Sequence, residues 1–211
     1  MAWARNGCRR GQLYDLFARR AGRGLSRTFC ANERQLQNRW IDKIFETLGW
    51  TIELEETVSR HGKTNFPDYG LYKDFDDLAK SKDCKNHFNK ALAVADAKAL
   101  GINLDGKGFS NKNPSYQIIN YLKQTDKTWG ILTDGQYWRI YSVRSESKHT
   151  TFYEIDLIKI LSTGDYDRFK YFYNFFRVEA FESLAKLNDR CFLDFVFEDG
   201  KHYAQRVDKN L

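Results

Sequence analysis

The run Ala91-Leu92-Ala93-Val94-Ala95-Asp96-Ala97-Lys98 constrains the fold more than any other stretch of this chain. Small and β-branched residues bounded by polar segments read as a buried strand. Its poor alternation means that both faces are covered, which predicts a central strand with helices on each side. Residues two apart in a strand share a face. Asp96 and Lys98 therefore project together from a segment that is otherwise dry. Such residues are rarely buried unless paired or bound to something. A second carboxylate, Asp68, opens another strand-like run, Pro67-Asp68-Tyr69-Gly70-Leu71. Carboxylates converging from neighbouring strands can hold Mg²⁺ through hard oxygen ligands. A Lys beside them can orient or activate a water and steady a phosphate in the transition state.

Around these two runs the pattern predicts an alternation of helices and strands. Asn32 can cap a helix whose first turn carries Glu33. Leu36, Trp40, Ile41, Ile44, Phe45 and Leu48 follow at helical spacing, and Gly49 stops it. Trp50, Ile52 and Leu54 alternate with Thr51, Glu53 and Glu55, which predicts a half-buried strand. Thr57 and Val58 extend it weakly, and Arg60-His61-Gly62-Lys63 forms a turn. Residues 73–83 are highly charged and read as a loop or short helix. Residues 101–113 are glycine-rich and read as a loop. Pro114 suits the first turn of a helix capped by Asn113. On that helix Gln117 and Tyr121, at i and i+4, share a face. They could contact the substrate backbone, position the catalytic strand, or serve packing alone. Trp129–Thr133 and 136–143 form two strands joined at Asp134-Gly135 by a tight turn. Their aromatic residues are read as core packing. A further strand covers 151–157, and an aromatic helix covers 166–180.

These motifs together resemble the PD-(D/E)XK nuclease superfamily. Pro67-Asp68 resembles its leading Pro-Asp, and Asp96-Ala97-Lys98 its (D/E)-x-K tripeptide. The stretch from Asn113 to Tyr121 resembles the Gln-x-x-x-Tyr helix of restriction-type members. Trp129 to Tyr141 resembles the hairpin that follows, and Asn32-Glu33 with Trp40 to Trp50 resembles the first helix and its Leu-Gly-Trp ending. The likeness covers residues 32–176. It is nearest to the N-terminal nuclease domain of type IIG restriction–modification enzymes, and then to the nuclease domain of type I restriction subunits. It implies a restriction-endonuclease-like α/β fold, a mixed central sheet flanked by helices. It also implies a Mg²⁺-dependent DNA endonuclease, with Mn²⁺ able to substitute. Asp68, Asp96, Lys98, Gln117 and Tyr121 would form the catalytic set. Asp68, Asp96, the Ala97 carbonyl and Glu33 would be the metal ligands. Asp at position 96, where close relatives carry Glu, and Ala99-Leu100, where they often carry a basic residue and an aromatic, are departures. A non-catalytic DNA-binding or scaffold module with a decayed nuclease fold is the competing reading.

Composition bounds the partners. The net charge of +6 on 211 residues is compatible with a polyanion but modest. Residues 1–30 hold seven arginines against the single acid Asp15 and no lysine. Residues 1–31 are read as a basic extension. Residues 177–211 resemble the start of the helical connector of type IIG enzymes, cut short, and the resemblance implies methyltransferase and target-recognition domains in a longer chain or complex. Cys8, Cys30, Cys84 and Cys191 show no zinc or disulfide spacing. With no membrane-spanning run and no signal-peptide core, the expectation is a cytoplasmic protein with reduced thiols; the resemblance implies double-stranded DNA as its partner.

Overall fold

The computed structural model describes residues 14–15, 36–54, 66–84, 86–106, 113–147 and 149–208. Glu33, the Asn32 cap, the turn at 60–63 and most of the basic extension lie outside the described residues. Among the described residues six strands form one sheet in chain order: β1 (Thr51–Leu54), β2 (Tyr69–Tyr72), β3 (Ala93–Ala97), β4 (Trp129–Thr133), β5 (Tyr137–Ser142) and β6 (Phe152–Asp156). Only β3 and β4 run parallel; the other neighbours are antiparallel. A parallel pair needs a crossover, and helix α3 (Pro114–Thr125) lies in it. The other helices are α1 (Asp42–Thr47), α2 (Phe75–Lys82), α4 (Leu157–Thr163), α5 (Tyr166–Phe176) and α6 (Phe192–Asp208).

The sheet separates two apolar cores. On one face α1, α4 and α5 pack over Ala93, Ala95, Ala97, Ile131, Trp138 and Ile140. On the other, α2 and α3 pack over Tyr72, Val94, Leu132 and Tyr141. Every residue of β3 is buried, as expected of a strand covered on both sides. The small side chains of its alanines leave room for a layer of rings. Phe45 lies 5.3 Å from both Tyr69 and Trp138, and Trp138 lies 5.5 Å from Phe172. Edge-to-face contacts of this kind add to the area the rings bury. Val178, Ala180, Phe181, Cys191 and Leu193 join the same core.

Local sequence explains the element ends. The six apolar positions from Leu36 to Leu48 are all buried. Gly49, at φ +90°, takes the left-handed conformation that ends α1. The charged segment 73–83 resolves into α2, capped by the Asp74 carboxylate on the Asp77 N–H. Asn113 caps α3 through the Ser115 N–H. At β1 the apolar residues before and within the strand meet the first core, Trp50 buried and Ile52 half-buried against it, while Leu54 is exposed. Glu53, on the opposite face, is buried as well, and polar partners account for it. Tyr72 Oη lies 3.1 Å from Glu53 Oε2, and Lys82 lies 3.8 Å from Oε1.

Candidate active site

The ladder between β2 and β3 sets the site. Tyr69, the first residue of β2, pairs with Ala95, so Asp68 sits at the entrance to β2 beside the end of β3 that carries Asp96, and its carboxylate reaches the Ala97 N–H. Strand alternation puts Asp96 and Lys98 on the same side as Val94, the side covered by α3. Asp96 is 1% exposed, and its Oδ2 lies 2.6 Å from Lys98 Nζ. An isolated carboxylate could not be buried so deeply without large cost. Lys98 supplies the compensating charge, and its side chain remains 18% exposed. The long stem carries the ammonium from the dry strand toward solvent.

Asp68 is held from two directions. Its Oδ2 accepts the Ala97 N–H at 2.7 Å and the Gln37 side-chain amide at 3.2 Å. Lys98 is held through its backbone. Its N–H donates to the Thr133 carbonyl at 2.8 Å, extending the β3–β4 pairing one residue past Ala97. The turn after Lys98 is tied by Asp134, itself 1% exposed. Asp134 accepts the Gly101 N–H at 3.2 Å, and the Gln136 and Tyr137 N–H groups at 3.0 and 2.8 Å. Burial pushes its carboxyl above the usual carboxylate range, against the pull of these backbone donors. The Asp134-Gly135 turn thus closes the β4–β5 connection and also anchors the loop that follows Lys98.

Gln117 and Tyr121 sit on the inner side of α3, where Gln117 Nε2 donates to Tyr121 Oη at 2.6 Å. Tyr121 is 5% exposed and belongs to the core beneath α3, together with Val94 and Leu132. Gly130 makes this closeness possible. A Cβ there would lie 3.0 Å from Ile118 and 3.1 Å from Leu122. The pair therefore lies on the sheet face from which Asp96 and Lys98 project.

Two groups beside the site carried no functional assignment from the sequence. Gln37 is one. The other is Arg139, buried on β5 and facing the α3 side. It forks onto Asp105 at 2.7 and 2.9 Å and bonds Glu154 at 2.6 Å. Asp105 also accepts from Ser115 at the start of α3, at 3.2 Å. This network ties the loop after β3 to α3 and to the hairpin. The signal that could have found it is the one that found Asp96: a charge set inside an apolar strand, here Tyr137-Trp138-Arg139-Ile140-Tyr141.

Comparison with protein-family models, with curated proteins and with solved structures finds no match for this chain. The site must be argued from its own chemistry. Among the described residues no group of three or more His, Cys, Asp or Glu side chains is arranged to hold a metal. Mg²⁺ does not require one. It commonly takes one or two carboxylates and fills its octahedron with water and substrate phosphate. Asp68 and Asp96, two oxygen donors at neighbouring strand ends with one of them deeply buried, have the donor chemistry for that requirement. Glu33 lies outside the described residues. Among those described, no helix is long and apolar enough to cross a membrane.

Proposed function

We propose that this chain is a PD-(D/E)XK-type nuclease domain with a restriction-endonuclease-like fold, hydrolysing phosphodiester bonds in double-stranded DNA. The observation that carries the reading is that Asp68 meets the end of β3, accepting the Ala97 N–H at 2.7 Å, where Lys98 pairs with the buried Asp96 at 2.6 Å. A structural ion pair alone has no need of a second carboxylate held at the same strand end. Mg²⁺ bound here would supply Lewis-acid stabilisation of the phosphate and of an attacking water. Asp68 and Asp96 would hold it, with the Ala97 carbonyl as a further oxygen. Lys98 is a fixed positive charge within reach of solvent. Its part is to orient the water and steady charge on the phosphate oxygens. Gln117 and Tyr121 would support the site from α3. The net charge of +6 suits a phosphate backbone without sequence selection. Methyltransferase and target-recognition domains are the partners that the resemblance to type IIG enzymes implies.

The test is nicking of supercoiled DNA with Mg²⁺ or Mn²⁺, paired with metal titration by calorimetry. Wild type should nick, and Lys98→Ala should lose nicking while still binding metal. Asp96→Asn should weaken metal binding as well, because it removes a ligand charge. Without metal, Lys98→Ala leaves Asp96 uncompensated and should lose on the order of 3 kcal/mol of stability. Added Mg²⁺ should therefore raise its melting temperature more than that of wild type. Nicking by Lys98→Ala at the wild-type rate would rule out the catalytic role. A wild type that neither nicks nor binds metal would leave Asp96 and Lys98 as an inert ion pair.

A further inference from the structure

We infer that Gln37 is a positioning residue of this site: its amide fixes the orientation of the Asp68 carboxylate for metal binding. The inference rests on the nuclease reading and adds a residue to it. Two donors converge on one oxygen of Asp68, the Gln37 amide at 3.2 Å and the Ala97 N–H at 2.7 Å. A single donor would leave the carboxylate plane able to swing about that bond. Two donors from different elements fix it. Neighbours that orient a ligand in this way commonly matter to affinity nearly as much as the ligands do.

The placement of Gln37 supports a dedicated role. It opens a five-residue π-helical turn, Gln37–Ile41, directly before α1. Such wide turns are rare and often occur at functional sites, because the extra residue shifts the side chains that follow. Here the turn is held on both sides. Leu36 and Ile41 are buried, and Trp40 Nε1 donates to the Gly135 carbonyl at 2.9 Å. One turn on, Tyr69 Oη donates to Asp42 at 2.8 Å, locking α1 to the strand that Asp68 precedes. A side chain from the α1 side of the molecule thereby reaches Asp68. An amide is suited to the task, because its NH₂ donates to the carboxylate while the group adds no charge beside the cation.

The experiment compares wild type with Gln37→Met, which keeps length but has no donor, and with Gln37→Ala. Each is measured by thermal melting without metal, by calorimetric titration with Mn²⁺ and Mg²⁺, and by the metal concentration that gives half-maximal nicking. The expected result is metal affinity weakened about tenfold, the lower end for losing an orienting neighbour. Half-maximal nicking should move to higher metal by the same factor, recover at saturating metal, and leave the metal-free melting temperature within a few degrees of wild type. A purely structural role would lower the melting temperature and leave affinity per folded molecule unchanged. Wild-type metal affinity in either folded variant overturns the inference while the nuclease reading stands. Wild type that binds no metal overturns both.

Discussion

Among the described residues, charged side chains are buried only where another charge or several backbone donors meet them. Asp96 has Lys98, Asp134 has three N–H groups, and Arg139 has Asp105 and Glu154. Asp105 gives a prediction with a sign. The Arg139 guanidinium, bonded to it, holds its carboxyl below the usual range despite partial burial. A carboxylate depressed in the folded state adds stability above its unfolded pKa of about 3.9, and that contribution fades as pH falls through the lower folded value. Wild type should therefore lose melting temperature more steeply below about pH 4 than Asp105→Asn, which cannot titrate there. Parallel pH profiles for the two proteins would show that the pair adds nothing. Tyr121→Phe is the complementary change on α3. It preserves the buried ring and removes the acceptor for Gln117, so the fold should persist. A metal affinity equal to that of wild type, with reduced nicking, would place the phenol in the chemistry and not in ligand support.

At the scale of elements, the site depends on how closely α3 approaches the sheet. Gly130 sets that distance, since Ile118 and Leu122 occupy the space a side chain would need. Both contacts come from apolar side chains in a filled core, so neither can yield without displacing others. Gly130→Val should cost about 1–3 kcal/mol through overpacking and should move the Gln117–Tyr121 pair off the sheet. Denaturant melts would measure the cost. A variant as stable as wild type would show that α3 has freedom to shift. The loop after β3 obeys a similar logic. Its turn is tied by Asp134 and its far end by Arg139 through Asp105, so Lys98 emerges from a segment fixed on both sides.

The whole molecule is organised by one aromatic layer beneath β2 to β5. Trp138 sits at its centre, fully buried, with its ring against Phe45, Phe172 and Phe176. Trp138→Ala should destabilise by about 3–5 kcal/mol, measured by chemical denaturation. The loss should fall on stability, because Trp138 faces away from Asp96 and Lys98. At the same scale, binding of duplex DNA should be weak and without sequence preference. It should fall with salt in a log–log plot, as expected when phosphate contacts dominate. Sequence-selective binding that survives high salt in a fluorescence titration would contradict the non-specific assignment.

How much of this was legible depended on the range of the cause. Periodicity and local chemistry sufficed for the buried face from Leu36 to Leu48, the cap at Asn113 and the all-buried β3. Each is decided within a few residues. The same held for the shared face of Asp96 and Lys98, which follows from strand alternation alone. What needed the tertiary structure was every choice made between distant segments. The bond that brings the Asp68 carboxylate to the Ala97 N–H joins two separate strand ends. Glu53 is buried because Tyr72 and Lys82 meet it on the polar face of its strand. Gln37 is thirty-one positions from Asp68, and Arg139 is thirty-four from Asp105. Hydrogen bonds over such separations leave no period in the sequence, because only the folded sheet brings their partners together.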